Sequence, residues 1–171
     1  MSILTRLFSS APDPREALRP LWQAIVAEAR QPAWYADAGV ADTVNGRFEM
    51  VSAVFALVVL RMETGEGLAK ETALLTELYV EDMEAQLREF GVGDVVVGKR
   101  MTKLMGATGG RIEAYRGGIA NGLPTMTEAA ARNMPLVDGA SAEQVAERLL
   151  ALWSRLQAIA DAALLAGEVA R

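Results

Sequence analysis

The sequence is predicted to fold as an all-α, single compact bundle of about five main helices plus a minor helix. Three observations predict it. Ala and Leu dominate while aromatic residues make up only 6%, a balance that favours helices over sheets. No alternation of apolar and polar residues runs longer than a few positions, so strands have no signal. Apolar residues recur instead at steps of three and four between recognisable helix caps. With 171 residues, 51% of them hydrophobic, the chain can bury one sizeable core, and no internal repeat divides it.

Residues 1–12 read as a flexible N-terminal tail in which Ile3, Leu4, Leu7 and Phe8 surround Arg6, and residues 13–171 as the helical domain. Asp13 is a good N-cap with Pro14 at the first helical position, and Leu18, Leu21, Trp22, Ile25 and Val26 follow at helical spacing up to Pro32. Residues 31–42 form a loop whose Trp34 and Tyr35 fold back onto the core. Asp42 or Asn45 opens the second helix, which carries the apolar run Val51–Leu60 and ends near Thr64, before Gly65-Glu66-Gly67. That run falls well short of the roughly 20 apolar residues a membrane span needs, so it reads as a buried core helix.

The third helix covers about Leu68 to Phe90, with Leu74, Leu75, Leu78, Met83 and Leu87 inward. Gly91-Val92-Gly93 makes a tight turn, Asp94 caps the fourth helix, and Gly117-Gly118 ends or loosens it near Arg116. Between 119 and 140, with Pro124 and Pro135, only a short helix over Thr127–Asn133 is expected. Ser141 opens the last helix in a capping box with Gln144, and Val145, Leu149, Leu152, Trp153, Leu156 and Ile159 supply its apolar face.

Composition excludes several kinds of chemistry. The chain has no Cys and no His, which removes disulfides, thiolate metal sites, a histidine base and a histidine haem ligand. No Asp-rich calcium loop is present, and no catalytic, metal or cofactor residues are expected. The net charge of −5 argues against nucleic-acid binding through the whole surface. Charge is nevertheless segregated: residues 63–90 sum to −6 and residues 91–118 to +3. One helix is acidic and the next basic.

The basic helix carries the most information. Wound at 100° per residue, its Val97, Met101, Leu104, Ile112 and Tyr115 share an apolar face. Arg100, Lys103 and Arg111 form a basic stripe with Lys99 beside it, and Gly98, Thr102, Gly106 and Gly109 form a face of minimal side chains. Gly98, Gly106, Gly109 and Gly110 together cost the helix on the order of 3–4 kcal/mol relative to alanine. Such a penalty is tolerable where another backbone must come close. That neighbour is expected to be the second or third helix of the same chain, or else a helix of a partner. The basic stripe is either a solvated face or counter-charge for the acidic helix, unless it meets acidic lipid, ribosomal RNA or an acidic subunit loop. The glycine spacing matches neither nucleotide-binding pattern.

This segment resembles the signature of the ubiquinol–cytochrome c chaperone family. The resemblance is carried by Gly91-Val92-Gly93-Asp94, Val97-Gly98-Lys99 and Gly110-Arg111 leading to Tyr115. Trp34-Tyr35, Asp42-Thr43 and Gly46-Arg47-Phe48-Glu49 support it, and it extends over about residues 14–165. It implies a non-enzymatic assembly chaperone that binds newly made cytochrome b and promotes assembly of respiratory complex III. A second assembly factor, the ribosome exit region and the inner-membrane surface are the further partners it implies. The longer N-terminal extension of mitochondrial members is missing, so the chain resembles a bacterial member at the cytoplasmic face of the inner membrane. Asp94, Gly98, Lys99, Arg100, Lys103, Gly106 and Arg111 are the candidate partner-binding residues. Two other classes stay open: a lipid- or small-molecule-binding helical module, and an enzyme holding Mg²⁺ on Glu81, Asp82 and Glu84.

Overall fold

The computed structural model describes residues 13–89 and 94–169, without the side chains of Leu87 and of residues 94–101. The expected tail (1–12) and the Gly91-Val92-Gly93 turn lie outside the described residues. A 3-10 turn, Pro14–Leu18, leads into α1 (Arg19–Ala29), and a π-helical turn, Ala33–Asp37, follows. Then come α2 (Val44–Glu63), α3 (Ala69–Glu89), α4 (Asp94–Asn121), α5 (Leu123–Asn133), α6 (Ala142–Ala158) and α7 (Asp161–Leu165). The described residues contain no strand, only an isolated bridge between Val40 and Leu136.

Helix α2 is the axis of the bundle. Every residue from Met50 to Met62 is buried, as expected for a helix apolar nearly all round and wrapped by neighbours. Among the described residues no helix is long and apolar enough to cross a membrane. Its N-cap is Thr43, not Asp42 or Asn45: the Thr43 hydroxyl accepts from the Gly46 N–H at 3.1 Å. Asp42 instead holds Arg47 through bonds of 2.6 and 3.1 Å. A side chain on Gly46 would meet the Ala41 carbonyl oxygen at 1.8 Å, so only glycine fits there.

The Trp34-Tyr35 pair folds back as expected. Trp34 Nε1 donates to the Glu28 carbonyl at 3.0 Å and the Tyr35 hydroxyl to the Ala29 carbonyl at 2.8 Å. Both are last-turn carbonyls that α1 cannot satisfy itself. Arg61, buried in α2, does the same for α6, donating to Leu156 and Ile159 carbonyls and to Asp161.

Two helix ends differ from expectation. Helix α4 runs through Gly117-Gly118 to Asn121, and α5 is a full helix rather than one starting at Thr127. The reason is contact: a Cβ on Gly118 would lie 2.9 Å from the Met126 Cα, so this glycine lets α4 and α5 cross closely. Pro124 stands in the first turn of α5, where the N–H it lacks has no intrahelical role. The Ser141 cap forms, but its hydroxyl accepts from the Glu143 N–H (3.2 Å) rather than from Gln144.

Where α2, α3 and α4 meet, Phe55 stacks on Tyr79 with centroids 4.3 Å apart, and Trp22 stands edge-on to both. The Tyr79 hydroxyl lies 3.0 Å from both the Ser52 and Thr108 hydroxyls. Ser52 and Thr108 also reach the Phe48 and Leu104 carbonyls. Three hydroxyl protons face four contacts: with Ser52 and Thr108 donating to the carbonyls, the Tyr79 hydroxyl donates to one of these two hydroxyls at a time. Tyr79→Phe is expected to lower unfolding stability by about 1 kcal/mol, the worth of one buried hydrogen bond, with an unchanged urea m-value. Urea unfolding followed by circular dichroism measures it.

Candidate functional site

Helix α4 turns one side inward and leaves the other to solvent. Leu104, Thr108, Arg111, Tyr115 and Gly118 are buried, whereas Lys103, Gly106, Gly109 and Gly110 are exposed. The chain thus brings Lys103 and Gly106 onto one open surface. Asp94, Gly98, Lys99 and Arg100 belong to the same helix, but their side chains lie outside the described residues.

Among the described residues, the glycine face is not an internal crossing at Gly106, Gly109 or Gly110. A Cβ built on Gly106, Gly109 or Gly110 meets nothing within 4 Å. Their penalty, about 0.8–1 kcal/mol each, is therefore not offset by any contact inside the described fold. Thr102, Gly106 and Gly110 follow one another at steps of four residues, which places them in one row along the helix. Met105, 36% exposed, flanks the row.

Arg111 is a correction to the expected basic stripe. Its side chain is 4% exposed and pairs with Glu49 of α2, while Arg116 pairs with Glu63 of the same helix at 2.7 Å. These arginines find their counter-charge on α2, not on the acidic α3. Burial raises the Glu49 pKa even against the lowering pull of Arg111, and burial raises that of Tyr115. Arg111 Nε and Nη1 and the Tyr115 hydroxyl are buried without a hydrogen-bond partner among the described residues. Gly110-Arg111 and Tyr115 thus combine an open glycine with two interior groups.

The carboxylates proposed for Mg²⁺ do not converge. Glu81 pairs with Arg15 at 2.8 Å, Asp82 accepts from Gln86 at 2.9 Å and Glu84 pairs with Arg88 at 2.8 Å. Among the described residues no group of three or more acidic residues could hold a metal ion.

A family model described as ubiquinol–cytochrome C chaperone matches residues 36–171. The crystal structure of the Cbp3 homolog from Brucella abortus is similar throughout, with a TM-score of 0.80 and 32% sequence identity. That match covers 99% of this chain and 96% of the other. No curated protein matches the sequence.

Proposed function

The chain belongs to the ubiquinol–cytochrome c chaperone family, and on that premise we propose that the outward side of α4 is where it holds newly made cytochrome b. The protein is a chaperone for assembly of ubiquinol–cytochrome c reductase, respiratory complex III, and not an enzyme. The observation that carries the docking surface is the open glycine row. Glycines that cost helix stability and touch nothing among the described residues suit a backbone that arrives from outside. Rows of small residues four apart let two helices approach closely, and a client helix laid over Gly106 and Gly110 would make that contact. Lys103 lies beside the row, and Asp94, Gly98, Lys99 and Arg100, on the preceding turns of the same helix, are proposed with it as docking residues. Arg111 acts from below by fixing α4 to α2 through Glu49.

Chaperoning here is mass action: each client held is withdrawn from the exposed, aggregation-prone pool. The protein works at the cytoplasmic side of a bacterial inner membrane, peripherally, and a second assembly factor, the ribosome exit or the membrane surface can share the client with it. Arg100→Glu with Lys103→Glu tests the surface. Affinity capture of newly labelled cytochrome b is expected to fall at least fivefold, while the melting temperature stays within about 2 °C. Undiminished capture would move the docking surface elsewhere.

A further inference from the structure

A concave surface lined by none of the glycine row's residues lies beside the start of α2. Two adjoining clefts, of about 360 and 240 Å³, share Arg30 and Arg47. Tyr35 and Pro32 line the first; Val44, Phe48 and Val51 line the second. Together they form one groove between the end of α1, the π-helical turn, the start of α2 and the end of α3. Its lining sets Val44, Phe48 and Val51 among Arg30, Arg47, Gln86 and Glu89, and Val44, at 59% exposure, is the most exposed large apolar side chain among the described residues.

The charges in this groove are not equivalent. Asp42 neutralises Arg47 through two hydrogen bonds. Arg30 has neither an ion pair nor a side-chain hydrogen bond among the described residues. Its position at the C-cap of α1 lets the helix dipole favour a cation there, but among the described residues no carboxylate lies within ion-pair distance of it. The groove therefore holds, where its two clefts meet, one guanidinium without an ion pair among the described residues, with apolar side chains to either side. Asp42 toward one end and Glu89 toward the other oppose an extended anionic surface such as a bilayer or a nucleic-acid backbone. A single carboxylate on an otherwise apolar ligand suffers no such repulsion.

We propose that this groove docks a peptide segment of a partner protein in which a carboxylate lies within a few residues of a large apolar side chain. The apolar side chain seats against Val44 and Phe48, and the carboxylate meets Arg30. Arginine suits this task because its fork can bond both carboxylate oxygens. Residues by which the chain resembles its family (Tyr35, Asp42, Arg47 and Phe48) meet here from two elements. The inference is independent of the α4 surface and stands or falls without it.

The test is fluorescence anisotropy of the full chain with dye-labelled octapeptides that place Leu or Phe one to three residues from Glu. Each peptide is paired with its Gln counterpart, and vesicles containing anionic lipid are run beside them. At least one Glu peptide is expected to bind below millimolar concentration. Its affinity should fall on the order of tenfold in the Gln counterpart and in Arg30→Ala, the scale of one charge-assisted hydrogen bond. Arg30→Lys, which keeps the charge and loses the fork, should fall between. Val44→Asp should weaken Glu and Gln peptides alike. Absence of peptide binding, equal affinity for Glu and Gln peptides, or indifference to Arg30→Ala would each overturn the proposal. Vesicle binding that depends on Arg30 without peptide binding would overturn it in favour of a membrane surface.

Discussion

Replacing Gly106, Gly109 and Gly110 together by alanine is expected to stabilise the domain by about 2–3 kcal/mol and at the same time to impair client capture. The first effect follows from helix propensity, about 0.8–1 kcal/mol for each glycine in a helix interior, because a Cβ at any of the three meets nothing. For a domain of this size it corresponds to a rise in melting temperature of roughly 5–10 °C. The second effect follows if the row exists for close backbone approach, since three methyl groups would hold a client helix away. Stability and function then move in opposite directions, as at surfaces where a costly feature is kept for use. Calorimetry on the triple variant, alongside capture of labelled cytochrome b, reads both. A more stable protein with undiminished capture would leave the glycines without a role in docking. Gly118→Ala is the internal contrast: its Cβ would strike Met126, so that substitution should destabilise.

The second large effect concerns Arg111. Arg111→Leu leaves the Glu49 carboxylate, itself only 19% exposed, without its partner. Removing one half of a buried ion pair costs about 3–5 kcal/mol, because the other charge stays desolvated. Adding Glu49→Leu should recover most of that loss. Replacing both halves of a buried ion pair by apolar side chains of similar volume is often close to neutral, because the desolvation of the two charges disappears with them. Urea unfolding of the two single variants and the double variant decides it. A loss of under about 1 kcal/mol in Arg111→Leu, as for an exposed pair, would place the guanidinium on the surface and return it to the docking residues.

The helices were legible where their signals are local. The Asp13 and Ser141 caps, the apolar run of α2 and the fold-back of Trp34 and Tyr35 all need only short stretches of chain to be read. Reading failed where the deciding contact is distant. Gly117-Gly118 looks like a helix stop, yet the residue that explains Gly118 is Met126 on the next helix. Arg111 looks like part of a basic stripe because its counter-ion, Glu49, is 62 positions away and the wheel leaves it at the edge of the buried face. The fate of the glycine row was undecidable for the same reason: periodicity marks a face of small residues but not what covers it. The groove around Arg30 was missed because its walls come from three helices and a turn, and no single motif contains them. Its only trace in sequence was the group of matches at Trp34-Tyr35, Asp42-Thr43 and Gly46–Glu49.

The most direct test of the α4 surface is contact itself. A photo-reactive methionine analogue placed at Met105, beside the glycine row, and separately at Gln157 on α6, can be activated while cytochrome b is being synthesised and labelled. A crosslink to immature cytochrome b from position 105 and none from 157 is the expected result. Crosslinks from 157 alone would contradict a client held on the outer side of α4.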